Sequence, residues 1–128
     1  MSGTAALEWP LVLAIDVGSS GVKAALFDAR ARRIEHTEAR IAHRIHPTPD
    51  GGVEELAEHL APNVESAIDG TMQRAGPLAD RIAAVGMDTM ASTVLGLDAD
   101  GDPATPIFTY ADTRSQREVD SIRGLTDE

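Results

Sequence analysis

Residues 11–27 read LVLAIDVGSSGVKAALF, two apolar runs of strand length separated by a glycine- and serine-rich turn. The first run reaches the carboxylate Asp16, and the second begins at Val22. Gly18 and Gly21 lie at the two ends of the turn, where residues that tolerate a positive φ are favoured. Two short apolar runs joined by such a turn predict a β-hairpin.

The chain after this hairpin changes from an extended to a helical pattern. Residues 34–45 predict a long third strand, and its many polar positions place it at or near a sheet edge. Residues 46–52 hold two prolines and two glycines and predict a loop. Apolar residues then recur every four positions from Leu56 to Met72, which predicts a helix. Pro62 either kinks this helix or starts a second one.

The last third of the chain predicts three further strands and a helix. Residues 82–87 form a short apolar run typical of a buried strand, and residues 92–97 are predicted to be its hairpin partner. A dense turn follows at residues 98–103, and residues 106–110 predict another extended segment. Asp112 has the side chain of an N-cap and predicts a final helix after it.

The predicted order of elements is β-β-β-α-β-β-β-α. Three strands in hairpin succession, followed by a helix and a further strand, are typical of the ribonuclease-H-like α/β fold. In that fold the fourth strand lies parallel to the first, because a helical crossover connects them. Residues 1–10 predict a flexible leader. No repeat and no long linker interrupts the chain, so one domain is expected over residues 1–128.

Composition limits the classes of function. The chain has 128 residues, of which 42% are apolar, enough for one compact domain. No apolar run approaches the roughly 20 residues that cross a bilayer, and the first residues lack the pattern of a secretory signal. The absence of Cys excludes disulfides and thiol catalysis and is typical of a cytoplasmic protein. A net charge of −10 argues against a nucleic-acid partner.

The turn between the first two strands carries the residues best suited to chemistry. Consecutive N–H groups in such a turn can bind an anion, and a carboxylate beside them binds Mg²⁺ through water. Lys23 can neutralise phosphate charge, so the segment has the parts that phosphoryl transfer requires. Its spacing is not that of a Walker A loop. An ordinary hairpin turn, in which Asp16 only ends a strand, is the alternative interpretation.

The pattern from Asp16 to Lys23, D-x-G-S-S-G-x-K, resembles the first phosphate motif of the actin/hexokinase/sugar-kinase ATPase superfamily. More narrowly, it resembles the amino-terminal end of the FGGY family of carbohydrate kinases. Residues 49–54, PDGGVE, are similar to the P-x-G-W-V-E loop of that family, with Gly52 in place of the usual Trp.

Two further stretches follow in the order that this family shows. Residues 82–86 and 94–98 resemble its I-x-A-I-G strand and L-x-D hairpin. Residues 107–114 resemble its W-x-D-x-R segment, with Tyr110 in the Trp position. The resemblance extends from residue 11 to about residue 123.

The resemblance implies an ATP-dependent kinase that uses Mg²⁺ and transfers a phosphoryl group to a sugar or polyol hydroxyl. It implies that Asp16 holds Mg²⁺ through water and that Lys23 lies near the transferred group. Phosphate would be cradled by Gly18, Ser19 and Ser20. The sugar would be contacted by Ala91, Ser92, Tyr110 and Asp112.

Three of the side chains near these positions also have structural interpretations. Asp112 serves equally well as a helix N-cap. Tyr110 can pack in the core with its hydroxyl satisfied. Asp88 either caps the end of its strand or is a second carboxylate at the site.

Members of the family are several times longer than this chain, and the resemblance places their general base and adenosine-binding glycines further along. No catalytic residue is therefore expected here, and the chain is expected to be the first part of a kinase domain, inactive by itself. Surface that the rest of the domain would cover favours a homo-oligomer. Two other functions stay open. One is a non-catalytic sugar- or phosphate-binding module, and the other is a ribonuclease-H-like nuclease using Asp16 and Asp88.

Overall fold

The computed structural model describes residues 6–126. They form two compact units, one comprising residues up to His43 and Ala61–Thr89, the other comprising Arg44–Leu60 and the residues from Met90 onward. The strands are β1 Leu11–Gly18, β2 Gly21–Phe27, β3 Ala39–Ala42, β4 His46–Pro47, β5 Val53–Glu55, β6 Ile82–Thr89 and β7 Ile107–Phe108. The helices are α1 Ala57–Ala75 and α2 Gln116–Thr126, with a 3₁₀ helix at Gly76–Arg81.

The first unit is built on a four-stranded sheet with the order β3-β2-β1-β6. Strands β1 and β2 form the predicted hairpin, with Gly18 opposite Gly21 at its end. Strand β6 pairs with β1 in parallel, and β3 lies at the edge beyond β2. The predicted hairpin, edge strand and parallel fourth strand are therefore confirmed.

The core of the first unit lies on one face of this sheet. Alternate residues of β1 are at most 5% exposed: Leu11, Leu13, Ile15 and Val17. Helix α1 is anchored to the sheet by Thr71, which is fully buried and whose hydroxyl donates to the Ala24 carbonyl at 2.9 Å. The side chains between the buried ones on β1, including Asp16, project to the opposite face, since successive side chains of a strand alternate.

The third strand is shorter than the sequence pattern predicted. The long strand predicted over residues 34–45 is reduced to Ala39–Ala42. The chain turns before it, because Arg33 pairs with Phe27 in an isolated bridge and His36 adopts a φ of 65°. The Thr37 hydroxyl donates to the Ile34 carbonyl and accepts from the Leu26 N–H, which stabilises this turn.

Two further predictions for the first unit were resolved or corrected. Pro62 lies inside one continuous helix, so the prediction of a second helix starting there is wrong. The helix ends at Ala75, and Gly76 follows with a φ of 54°. Strand β6 is not buried: Val85 and Met87 are 62% and 60% exposed. It is the outermost strand of the described sheet, so no neighbour covers its far side.

The second unit contains a small sheet with the order β4-β5-β7. Its first strand lies within the segment predicted as a loop, where His46 pairs with Glu54. Residues 92–97 do not pair with β6 as predicted. Val94 instead forms an antiparallel bridge with Phe108, with two backbone hydrogen bonds between them. The predicted turn at residues 98–103 is confirmed, with Asp98 Oδ1 accepting from two backbone N–H groups.

The predicted final helix is present, but Asp112 is not its N-cap. Helix α2 begins at Gln116, and Asp112 Oδ1 accepts from the Arg114 N–H in the turn before it. The apolar side chains of this helix are exposed, as shown by Ile122 at 62% and Leu125 at 76%. Neither helix among residues 6–126 has the length and apolar character to span a membrane.

The first half of the predicted leader, residues 1–5, lies outside the described residues. Of the other half, Glu8 accepts from the Ala29 N–H through its carbonyl and pairs with Arg30 through its carboxylate. The Trp9 ring stacks under the Arg81 guanidinium at 4.2 Å. These contacts attach residues 8 and 9 to the first unit.

Candidate functional site

The hairpin of the first unit brings Asp16 and Lys23 together. They are directly opposite in the β1–β2 register, and the Lys23 Nζ donates to Asp16 Oδ2 at 3.3 Å. The Lys23 side chain is 39% exposed and the Asp16 side chain is 52% exposed, so both groups are in contact with solvent. Lys23 is also the single lysine of the sequence. A solvated cation and anion at a strand end are accessible to a ligand.

A second carboxylate joins them from β6. Asp88 is the register partner of Asp16 in the parallel β1–β6 pair, so the two carboxylates project from the same face of the sheet. Asp88 Oδ1 also accepts from the neighbouring Thr89 N–H. Asp88 therefore accepts a backbone hydrogen bond at the end of its strand and is also the neighbour of Asp16 in the sheet.

These three charged residues line a cavity of about 500 Å³ on the open face of the sheet. Small residues lie along the strands next to them, among them Ala14, Ala25 and Gly86. Larger side chains at these positions would fill the space above the sheet. The first unit thus presents a shallow cavity whose lining includes these three charged residues and Glu38.

The turn of the hairpin has one glycine whose conformation requires it. Gly21 has a φ of 152°, and a Cβ at this position would lie 2.4 Å from the Ile41 carbonyl oxygen of β3. Of the two glycines in this turn that tolerate a positive φ, Gly21 alone adopts one. Ser19 and Ser20 form the exposed tip.

In the second unit, the Asp112 carboxylate is fully engaged by the protein. Its Oδ1 accepts from the Arg114 N–H and Nε, each at 3.1 Å. Its Oδ2 accepts from Arg114 Nη2 at 2.6 Å and from the Val53 N–H at 3.2 Å. The Arg114 side chain is the main reason that the pKa of Asp112 falls to about 2. Asp112 therefore joins the 109–114 segment to β5.

Sequence reasoning did not single out Arg114, which organises this region. Its guanidinium pairs with Glu54 at 2.5 Å, with Asp112 at 2.6 Å and with Asp50 at 3.9 Å. It also lies over the Phe108 ring at 5.2 Å. Hydrogen bonds to Asp112 and Glu54 raise the pKa of Arg114. The signal was present in the sequence, since the paired Glu and Arg are the last letters of two of the family-like motifs.

A cavity of about 620 Å³ lies beside this cluster. Ser92, Tyr110 and Asp112, three of the four side chains predicted to bind a sugar, line it together. Tyr110 is 66% exposed, so its interpretation as a core residue is wrong. Ala91, the fourth, is exposed beside Ser92 in the chain but does not belong to this lining. Ser92 adopts a φ of 54°, and the remaining lining residues are Val94, Phe108, Thr109, Arg114 and Ser115.

The predicted residues therefore fall into two sets. Those predicted for phosphate and Mg²⁺ belong to the hairpin of the first unit, and those predicted for a sugar belong to the second unit. Within residues 6–126 no three His, Cys, Asp or Glu side chains are grouped closely enough to enclose a metal ion. Carboxylates that line the same cavity as Lys23 are those of Asp16, Glu38 and Asp88.

Comparisons with known proteins identify the family of this chain. The profile of the FGGY family of carbohydrate kinases, N-terminal domain, matches residues 11–128. Glycerol kinase 1 of Streptomyces avermitilis is 32% identical over 107 residues, which are 83% of this chain and 20% of that protein. The autoinducer-2 kinase of Salmonella choleraesuis is 29% identical over 119 residues, 91% of this chain and 22% of that protein.

The fold of this chain also matches that of solved structures. The crystal structure of xylulose kinase from Rhodospirillum rubrum matches with a TM-score of 0.80 at 22% identity, over 90% of this chain and 23% of that one. This confirms the actin-like ATPase fold, of which the chain covers a part. The chain spans about a fifth of the length of the curated relatives it matches. With its profile match over nearly all residues, the chain belongs to the FGGY family of carbohydrate kinases.

Proposed function

We propose that the protein acts as a carbohydrate kinase, transferring the terminal phosphoryl group of ATP to a hydroxyl of a sugar or polyol. The observation that carries the proposal is the Asp16–Lys23 pair at the end of the β1–β2 hairpin, with Asp88 beside it. Family membership supports the reaction class, and the accessible lysine and carboxylates support its location.

The hairpin residues would handle the phosphates. Lys23 would neutralise charge near the transferred group, and the exposed backbone of Gly18, Ser19 and Ser20 would donate hydrogen bonds to phosphate oxygens. Asp16, with Asp88 as its neighbour, would hold Mg²⁺ through water, since Mg²⁺ prefers oxygen ligands and keeps several waters. When bound, the ion supplies positive charge to the phosphates.

The second unit would hold the sugar. Ser92 and Tyr110 would contact it directly, with Ala91 adjacent, in the cavity of about 620 Å³. Asp112 lines the same cavity, but its two oxygens already accept four hydrogen bonds. Asp112 would hold the 109–114 segment, which contains Tyr110, against β5. It would also lie at the edge of the bound sugar.

The 128-residue chain by itself is proposed to lack turnover, because the family resemblance places the general base further along, and Asp112, the one carboxylate that lines the second-unit cavity among the described residues, already accepts four hydrogen bonds. A binding module without chemistry is the second candidate, favoured by the presence of two ligand-sized cavities. ADP release in the presence of a panel of sugars measures turnover directly. Release by the purified 128-residue chain would contradict the proposed lack of turnover.

Two further proposals concern the cellular location of the protein and its self-association. The absence of Cys supports a cytoplasmic location, which fractionation of the source cells would test. Exposed Val85 and Met87 on an unpaired edge strand support self-association, which would appear as a concentration-dependent sedimentation coefficient. A coefficient independent of concentration would contradict it.

The single lysine allows a direct test of the phosphate site. Reductive methylation with ¹³C-formaldehyde labels Lys23 and the terminal amine, and a dimethylated lysine keeps its charge. Titration with Mg²⁺ and a non-hydrolysable ATP analogue should shift the Lys23 methyl signal. Adenosine, which lacks phosphates, is the control and should leave it unchanged. No shift with the analogue at about 10 mM would reject the assignment.

A further inference from the structure

We propose that Arg40 is a second phosphate-binding residue of the first unit, and that it contacts a phosphoryl group other than the one that Lys23 contacts. This inference rests on the proposed function, because it concerns the same phosphate site. It goes further by adding a residue from the edge strand β3 and by assigning to the site a preference for a chain of phosphoryl groups over a single phosphate.

Four charged residues form a row across the open face of the sheet. Asp88 is the register partner of Asp16, and Asp16 is that of Lys23. Lys23 is in turn opposite Arg40 in the β2–β3 pair. Register partners project from the same face, so the row crosses β6, β1, β2 and β3 in that order. Two carboxylates occupy one half of the row and two cations occupy the other half.

Arg40 carries the cation of this row that the protein itself does not engage. It is exposed, and it forms no hydrogen bond or ion pair with any residue between 6 and 126. Glu38, two residues earlier in the chain, pairs with Arg33 instead. Lys23, by contrast, donates to Asp16 at 3.3 Å. The positive charge available to an anion at this end of the row therefore comes chiefly from Arg40.

The segment that carries Arg40 runs beside the hairpin turn. The backbone N–H of His43 donates to the Ser20 carbonyl at 3.4 Å, just past the end of β3. The edge strand is thus in direct contact with the turn that is proposed to bind phosphate. An arginine at this place offers a planar guanidinium that can donate two parallel hydrogen bonds to phosphate oxygens.

The spacing of the two cations favours a ligand with several phosphoryl groups. Neighbouring strands are about 4.8 Å apart, and the Lys23 ammonium is bonded to Asp16 on β1, on the side away from β3. The two cations therefore lie at different points along the row, and each can pair with its own phosphoryl group. The carboxylates at the other end would face the Mg²⁺ end of the ligand, since Mg²⁺ prefers oxygen ligands.

The experiment uses inorganic phosphates, which carry neither sugar nor base. The chain with ¹³C-dimethylated Lys23 is titrated with sodium tripolyphosphate and with sodium orthophosphate at matched ionic strength, and the Lys23 methyl signal is followed by NMR. In Arg40→Gln the tripolyphosphate concentration at half-maximal shift should rise about three- to fivefold, from the loss of one exposed charge pair. The corresponding orthophosphate concentration should change by less than about twofold.

Arg30→Gln is the matched control. It removes the same charge from the same unit, but Arg30 follows the other end of β2 and pairs with Glu8. This variant should bind both phosphates as the parent chain does. Both variants should keep the urea midpoint of the parent, because both side chains are exposed. Equal tripolyphosphate binding by Arg40→Gln and Arg30→Gln would overturn the role of Arg40.

The outcomes also separate this inference from the proposed function. A parent chain whose Lys23 signal does not respond to tripolyphosphate at about 10 mM would reject the phosphate site, and Arg40 with it. A parent response that Arg40→Gln leaves unchanged would keep the site and overturn the inference. An equal loss of tripolyphosphate and orthophosphate binding would show a general charge effect and overturn the second phosphoryl contact. A larger loss for tripolyphosphate than for orthophosphate supports both.

Discussion

Asp16 on β1 and Asp88 on β6 are register partners in a parallel strand pair, and Lys23 Nζ lies 3.3 Å from the first of them. The two carboxylates come from distant parts of the sequence, and the crossover through α1 brings their strands side by side. Lys23 therefore pairs with Asp16, and Asp88 follows on the next strand at the same level of the sheet. Carboxylate oxygens are ligands that Mg²⁺ prefers, and a lysine neutralises phosphate charge.

The first prediction concerns Asp88. The Asp88→Asn variant keeps the size of the side chain but removes one of the two charges, so Mg²⁺ should enhance nucleotide binding less than in the parent chain. The reduction should be several-fold, measured from the Lys23 methyl shift with and without Mg²⁺. The control is Asp98→Asn, a carboxylate in the turn of the second unit. Equal Mg²⁺ enhancement in both variants would remove Asp88 from the site.

A second prediction concerns acid stability. Asp28 is buried, its pKa is lowered to about 2 mainly by the Arg32 side chain, and the pKa of Asp112 is lowered to about 2 by Arg114. Because both values lie below the unfolded value of about 3.9, the stabilisation is present above pH 4 and is lost as the pH falls toward 2.

The measurement is the urea midpoint between pH 5 and pH 2. The parent chain should lose stability over this range, and Asp28→Asn and Asp112→Asn should each show a flatter pH dependence. Asp69→Asn, an exposed carboxylate on α1, should retain the parent slope. Identical slopes in all four proteins would contradict the role of these two ion pairs.

The third prediction concerns the hairpin turn. Gly21→Ala places a Cβ 2.4 Å from the Ile41 carbonyl oxygen in a backbone conformation that L-residues avoid. The free energy of unfolding should fall by about 2–3 kcal/mol. Gly86→Ala is the matched control in the same sheet, since its Cβ meets no atom within 4 Å. Equal urea midpoints for the two variants would show that β2 and β3 are not as close as described.

The fourth prediction tests how α1 is attached to the sheet. Thr71→Val keeps the shape of the side chain but removes the hydroxyl that donates to the Ala24 carbonyl at 2.9 Å. Loss of a buried hydrogen bond should cost about 1 kcal/mol in the free energy of unfolding. Thr71→Ser, which retains the hydroxyl, isolates the cost of the lost methyl group. A Val variant as stable as the parent would argue that the hydrogen bond contributes nothing.

The local features of this chain were the most predictable ones. The hairpin at residues 11–27 and the helix ending before Gly76 follow from apolar periodicity and turn residues, which act over a few positions. Predictions failed where a segment could pair with more than one strand. Residues 92–97 have the pattern of a hairpin strand, but the pattern does not reveal that Phe108 pairs with Val94.

The candidate site likewise has a part that local sequence predicted and a part that it did not. Asp16, the glycines and Lys23 are close in the chain, so a two-residue hairpin loop places the carboxylate and the amine opposite each other. The role of Asp112 was harder to predict from the sequence. Its partner Arg114 is a near neighbour in the chain, but its partner Val53 comes from a distant segment. An aspartate before a helix has the same local pattern whether it caps that helix or binds an arginine.

The sequence alone determined the hairpin, the crossover helix, the acidic character and the family, because these depend on short-range periodicity, composition and motif order. Only the tertiary structure decided that Asp88 lies beside Asp16, that Arg114 is neutralised by three carboxylates and that β6 is exposed. Each of these depends on which distant segments meet. The free energy of such contacts comes from burial and charge pairing in the folded chain, and no local pattern encodes it.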